Sequence, residues 1–350
     1  MTMKSLIQQA IARPQERADA AGRKARECPA PVPALDTNEE ELRKLQAGLK
    51  IHVRVVGCGR SGARSADLCS EEVDSTLVDP YALTVEGEPL DVAPLAPQIS
   101  VTLDKDGWPA NERKILQPFD ETDLLFLTTS LADSSGCHLA EFVARSTARM
   151  RRPLVISLVS TPPPEPSERP CYAGLDGLEG LRRVSDTTIV IQTEKLRDLL
   201  PEAQAAAAPR VIEELMMTAI RGIVAIGVGG PAPIHLDFVD LQTVFRNHEA
   251  ALIGLGEGTS DHPADVLAEA LGSLLLGPVD LQKVTGAFFQ IIAGPAVTVP
   301  QATKLAWLVS TKLPVRIPSL WGMSRDQSPK SETSVKLLLI LTGMEWPFVI

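Results

Sequence analysis

The run from Ile51 to Gly59, IHVRVVGCG, alternates at first, then turns continuously apolar and ends in glycines. A segment with apolar residues on both sides fits a strand covered on both faces, as in a parallel sheet, better than one wetted on one face. Further apolar runs follow at Ser75 to Val78, Leu124 to Thr128, Leu154 to Val159 and Thr188 to Ile191, with helix-like stretches between most of them. Strands alternating with helices predict an α/β fold with a Rossmann-like, mainly parallel sheet. From Ala208 to Gly227 apolar residues recur at three and four spacing, which predicts one long helix ending in glycine. Beyond it, strands are expected at Val284 to Ile292, Val315 to Trp321 and Ser334 to Thr342, with helices at Pro263 to Leu275 and Pro300 to Lys312. These form a second, smaller α/β domain. The expected division is therefore 1–49, 50–207, 208–230 and 231–350. Within 1–49, Pro29, Pro31 and Pro33 separate two helix-friendly stretches, and the segment reads as a helical extension or mobile arm.

Composition excludes several function classes. In the 350-residue chain, 44 Asp+Glu against 34 Lys+Arg give a net charge of -10, which repels nucleic acid and anionic membranes. The basic clusters are short, as at Arg149, Arg151 and Arg152. Five cysteines without a C-x-x-C pair, and five histidines, give no zinc spacing, so no metal site is expected and the cysteines fit a reducing cytoplasm. No signal peptide is evident, and no apolar run reaches the roughly 18 residues a bilayer requires.

The first motif is Gly57-Cys58-Gly59-Arg60-Ser61-Gly62, a G-x-G-x-x-G between a strand and a helix. Glycines there let backbone approach phosphate, and the helix N-terminus offers unpaired N–H groups. Some twenty residues later Asp79 is expected at the end of the second strand, where a dinucleotide fold places its ribose-binding acid. An NAD-binding domain and a purely structural glycine turn are both compatible with this motif.

A longer segment discriminates between them. PIHLDFVDLQTVFRNHEAALIGLGEG, Pro233 to Gly258, resembles the FtsZ pattern N-[LV]-D-F-A-D-[VI]-x-[TS]-V-[ML]-x-N-x-G-x-A-x-[MI]-G-x-G. Asp186 to Leu196 is similar to the FtsZ strand DTLIVIPNDKL, and Gly286 to Thr298 to GALINITGGPDLT. The resemblance covers about residues 50 to 345. It implies the tubulin/FtsZ fold, a cytoplasmic cytoskeletal or cell-division role, and FtsZ-like subunits as filament partners. It also implies GTP or GDP as ligand, with magnesium only alongside the nucleotide. The synergy-loop aspartates, which polarise water on a neighbour's nucleotide, correspond to Asp237 and Asp240, with His235 in place of Asn. Nucleotide contacts correspond to Gly57, Gly59, Arg60, Gly62, Asp79, Ser134, Ser135, Gly136, Glu165, Arg169 and Thr193, and the base-reading acid to Glu213 or Glu214. Many family members carry a C-terminal linker and recruitment peptide; here EWPFVI follows the last strand, so membrane contact is expected only through other proteins.

One departure stands out. Thr128 to Glu141, TTSLADSSGCHLAE, aligns with the family's TAGMGGGTGTGAAP, and of that loop's glycines only Gly136 survives. Side chains obstruct a backbone cradle. Asp133 adds a charge that costs on the order of 4 kcal/mol per like pair at about 4 Å and an effective dielectric near 20. Arg60 is expected to fill the vacated pocket or to pair with Asp79 or Asp133. The reading is an FtsZ-like subunit with weakened or lost GTP binding that acts on a neighbour's GTP. A working GTPase with an unusual loop and a nucleotide-free scaffold stay open. TPPPEP, Thr161 to Pro166, reads as a stiff connector, and Trp307 and Trp321 as core residues.

Overall fold

The computed structural model describes residues 3, 5–10, 51–88, 95–104, 108–150, 153–161, 172–193, 196, 207–228, 237–246, 248–273, 280–326 and 330–344. Its frame is one ten-stranded sheet in the order β3-β2-β1-β4-β5-β6-β7-β10-β8-β9. The strands are β1 (Val53–Cys58), β2 (Val78–Val85), β3 (Gln98–Val101), β4 (Leu124–Ser130), β5 (Leu154–Ser160), β6 (Thr187–Ile191), β7 (Glu249–Thr259), β8 (Gly286–Ala293), β9 (Ser319–Arg325) and β10 (Ser334–Thr342). Pairing is parallel from β3 through β7; β10 then runs antiparallel to both β7 and β8, and β9 parallel to β8.

Helices α1 (Gly59–Glu72), α2 (Glu112–Leu116), α3 (Ser134–Met150), α4 (Tyr172–Val184), α5 (Ala208–Gly227), α6 (Phe238–Phe245), α7 (Pro263–Gly272) and α8 (Val299–Lys312) cover the two faces. One core cluster joins α5 and α6 to β1, β4, β5 and β6, and a second joins α2, α3 and α4 to the opposite face. A third lies under α7 and α8. The doubly covered strands explain the unbroken apolar runs of the sequence: β4 and β5 are buried almost throughout. Each fully buried Leu, Ile or Val contributes about 1.5–3 kcal/mol relative to exposure, and α5 buries seven Leu, Ile and Val residues between Val211 and Ile226.

Several boundaries differ from the sequence reading. Strand β2 starts at Val78 instead of ending there, because Asp79 and Pro80 read as breakers. Pro80 precedes the stretch of β2 that β3 pairs, where β2 is still an edge and tolerates it. The eleven-residue β7 was hidden by Gly254, Gly256 and Gly258. A Cβ on Gly256 would lie 2.1 Å from the carbonyl oxygen of Val266, so α7 packs directly on the strand. β9 begins at Ser319, with Val315 left 99% exposed. Trp307 is not a core residue but 64% exposed, whereas Trp321 stacks on Phe289 at 6.4 Å. Residues 5–10 are helical, with Leu6, Ile7 and Ala10 buried in the largest cluster, so this part of the N-terminal segment is docked. TPPPEP lies, after Thr161, outside the described residues.

Candidate functional site

At the C-terminal edge of the parallel strands, two strand-to-helix turns converge. In the first, β1 ends at Cys58 and α1 begins at Gly59, whose φ of +73° is a left-handed conformation open to glycine. A Cβ on Gly57 would lie 1.9 Å from the Gly62 carbonyl oxygen, and one on Gly62 would lie 2.3 Å from that of Thr128. Both glycines thus permit strand and helix backbones to touch. Cys58, the residue before α1, provides no side-chain cap, so the first N–H groups of the helix need an outside acceptor.

The second turn supplies it. Between β4 and α3 the chain makes a tight turn over Leu131, Ala132 and Asp133, with the Asp133 N–H donating to the Ser130 carbonyl at 2.9 Å. Asp133 Oδ1 accepts the Gly136 N–H at 2.9 Å and caps α3. Its other oxygen, Oδ2, accepts the Arg60 N–H of α1, also at 2.9 Å. One carboxylate therefore bridges the N-termini of two helices, each carrying a partial positive charge. The Ser135 hydroxyl lies 2.8 Å from Asp133 Oδ1 and 3.2 Å from Glu88 Oε2, and its single proton serves one at a time. A Cβ on Gly59 would lie 2.2 Å from Asp133 Oδ2, so glycine is required there by this carboxylate as well. Behind the turn, the hydroxyls of Ser61, Thr128 and Thr129 are buried without a hydrogen-bond partner among the described residues.

Other expected positions scatter. Asp79 pairs across the sheet with Arg54, in register with it near the start of both strands, about 13 Å along β1 from the turn at about 3.3 Å per residue. This corrects its placement beside the ribose, and the cause is the misplaced start of β2. Arg60 is exposed; its backbone, not its guanidinium, meets Asp133, and it pairs with neither acid. Ser134 is exposed in the first turn of α3. Thr193 is buried and donates its N–H to the Thr161 hydroxyl at 3.0 Å, which ties the ends of β5 and β6 together. Glu165, Arg169 and His235 lie outside the described residues.

Helix α5 starts beside this edge and runs alongside α1: Glu213 meets Arg64 at 3.6 Å, and one end of α1 is tied by Glu72 to Arg221. Burial pushes Glu213 up to about 7 against the pull of Arg64 and Arg210, with Glu214 raising it further. At about 1.5 Å per residue, the twenty residues of α5 span about 30 Å. At the far end of α5, a Cβ on Gly227 would lie 2.1 Å from Leu241 of α6. Asp237 and Asp240 head that helix as a reciprocal capping box: the Val239 N–H donates to Asp237 Oδ1 at 3.4 Å and the Asp237 N–H to Asp240 Oδ2 at 3.3 Å. Both bonds are long, leaving the carboxylates lone pairs for other donors. Asp237 is exposed and Val239 between the two acids is 63% exposed.

Asp133, expected from the sequence as a repulsive charge, is instead a cap. Asp-Ser-Ser-Gly, an Asp three residues before the N–H it receives, was the available signal.

No family model matches the chain. Among curated proteins it is 28% identical over 366 residues to cell division protein FtsZ 1 of Halobacterium salinarum, covering 99% of this chain and 90% of that one. It is likewise 28% identical over 371 residues to FtsZ 1 of Archaeoglobus fulgidus, covering 100% and 95%. Among solved structures, an empty FtsZ dimer of M. jannaschii superposes with a TM-score of 0.74 at 25% identity, over 88% of this chain and 93% of that one. A GTPγS-bound CetZ2 protofilament of Haloferax volcanii shares the fold, with a TM-score of 0.65 at 15% identity over 84% and 94%. Strand order, long central helix and these superpositions define a protein of the tubulin/FtsZ fold class. Within it, the near full-length similarity is to FtsZ and supports a divergent FtsZ-like member. Among the described residues no helix is long and apolar enough to cross a membrane.

Proposed function

We propose that this chain is a filament subunit of FtsZ type whose own phosphate cradle is weakened or lost, and which presents Asp237 and Asp240 to nucleotide held by a neighbouring FtsZ-like subunit. The observation that carries the first half is the seating of Asp133: the Arg60 and Gly136 N–H groups, which a phosphate would need, already donate to its carboxylate. As arranged, the turn does not fit a triphosphate, since an anion would meet Asp133 and Glu88 before it met free donors. For the second half, the acid pair lies at the other end of α5, partly exposed and fixed by its capping box. Hydrolysis of a phosphoanhydride depends on positioning and charge, so a rigid carboxylate pair that orients water is a sufficient contribution from a partner. FtsZ-like copies, of this chain or of a relative, are the partners this reading requires; no chemistry is assigned to nucleotide in the chain's own turn.

The test is to mix the protein with an active FtsZ and measure GTP turnover and pelletable polymer. Comparison is made with Asp237→Asn and Asp240→Asn, since Asn caps about as well as Asp and spares the helix. Wild type should change turnover and the variants should not; equal effects of wild type and variants, or none from either, reject the reading. Calorimetric titration of the isolated protein with GTP and magnesium tests the first half, and micromolar binding rejects it.

A further inference from the structure

We infer that Asp133 is a built-in anion that stands in for phosphate, its carboxylate filling an oxyanion site and holding the β1–α1 and β4–α3 turns closed around it. The inference rests on the reading that this chain's own cradle no longer takes nucleotide phosphate.

A carboxylate in an ordinary N-cap serves one helix. This one serves two, an oxygen to each, with both bonds at 2.9 Å and of the charge-assisted kind. α1 has no cap of its own, so its first turn depends on a residue more than seventy positions away. The closure is also sterically matched: Gly59 is at φ +73°, and the Asp133 carboxyl lies where a side chain on Gly59 would begin. Gly136 is equally enclosed, since a Cβ there would lie 2.6 Å from Thr129 Oγ1 and 2.7 Å from the Cys58 carbonyl oxygen. Thr129 is 2% exposed and its hydroxyl has no hydrogen-bond partner among the described residues; the Ser61 hydroxyl, a buried atom on a half-buried residue in the first turn of α1, likewise has none. Two helix N-termini, the Ser135 hydroxyl that bonds to Asp133 and unsatisfied hydroxyls behind them make a site for a compact oxyanion, now filled from within. Glu88, whose carboxylate faces Ser135, is the one other charge near that hydroxyl among the contacts described. An internal anion cannot be hydrolysed or exchanged, so the two turns keep one arrangement whatever the nucleotide supply.

Removing the carboxylate should open the site. Asp133→Gly leaves both helices uncapped, while Asp133→Ser still caps α3 but is too short to reach the Arg60 N–H. Thermal melts and calorimetric titrations are run on the full chain in chloride and in inorganic phosphate at matched pH and ionic strength. Wild type should melt alike in both. The variants should melt lower in chloride, recover in phosphate, and bind phosphate about tenfold or more tightly than wild type. Should neither variant fold in chloride, folding in phosphate upholds the inference, and failure in both salts overturns it. Variants whose melts ignore phosphate overturn it too. Wild type that binds GTP overturns the proposed function instead, so the two readings fail separately.

Discussion

Replacing Glu213 by Gln should make the protein more stable at alkaline pH and alter its acid-range profile. Glu213 lies near the start of α5 with its side chain 9% exposed and 3.6 Å from Arg64. Burial dominates and raises it from 4.5 to about 7; Arg64 and Arg210 pull it down and Glu214 pushes it up. The folded protein therefore holds a proton that the unfolded chain has released, and stability falls as pH rises from 4.5 to about 7, then levels off. At about 1.36 kcal/mol per pH unit, the full penalty is roughly 3 kcal/mol above neutrality, most of which accrues between pH 5 and pH 8. Gln occupies nearly the same volume, keeps a polar partner for Arg64 and does not titrate. Urea unfolding of wild type and Glu213→Gln at pH 5, 6, 7 and 8, at fixed ionic strength, gives the difference directly. The variant should gain roughly 2 to 3 kcal/mol relative to wild type on going from pH 5 to pH 8. Parallel profiles, with a difference independent of pH, refute the reasoning and leave Arg64 as the stronger influence on the carboxylate.

Two further outcomes follow from packing. Gly222→Ala, although it removes a helix glycine worth about 0.5–1 kcal/mol, should destabilise by about 1–2 kcal/mol net because overpacking costs about 1–3 kcal/mol. The new Cβ would lie 2.1 Å from Leu338 Cδ2 and 3.0 Å from Gln290 Oε1, and a raised melting temperature contradicts this. Cys58, Cys69 and Cys137 are buried, with Cys69 pushed up to about 12 by burial and Cys58 higher still. Peptide mass spectrometry after iodoacetamide treatment of native protein at pH 8 should find all three unmodified, and rapid labelling of any one contradicts the packing.

The legible parts of the fold are those where burial is continuous. β1, β4, β5, β6, α5 and β10 were readable from apolar runs because both faces of those strands, and almost all of α5, are covered. β2 and β7 were not, since a proline at a sheet edge and glycines under a close-packed helix carry the same local signals as a turn. Trp307 misled because helical spacing locates a helix without saying which face meets the core. At the candidate site, the glycine turn after β1 and the acids Asp237 and Asp240 were visible as local spacing. The bridge from Asp133 to Arg60 was not, for it joins residues far apart in sequence through a backbone N–H that no side-chain pattern advertises. Asp79 failed for a related reason, its role being fixed by strand register with Arg54.

The sheet itself has a seam. β6 and β7 share just three register pairs, Thr187 with Glu249, Thr188 with Ala250 and Ile189 with Ala251, whereas β7 and β10 share nine. Glu249 opens β7 at φ 47°, an uncommon backbone for a residue with a side chain, and is tied to Arg182 at 3.5 Å. The half of the sheet from β3 to β6 is therefore joined to the half from β7 to β9 by these three rungs, with the shaft of α5 as the other tie. In a filament of the proposed kind, load passed from one subunit to the next would cross the sheet at these three rungs.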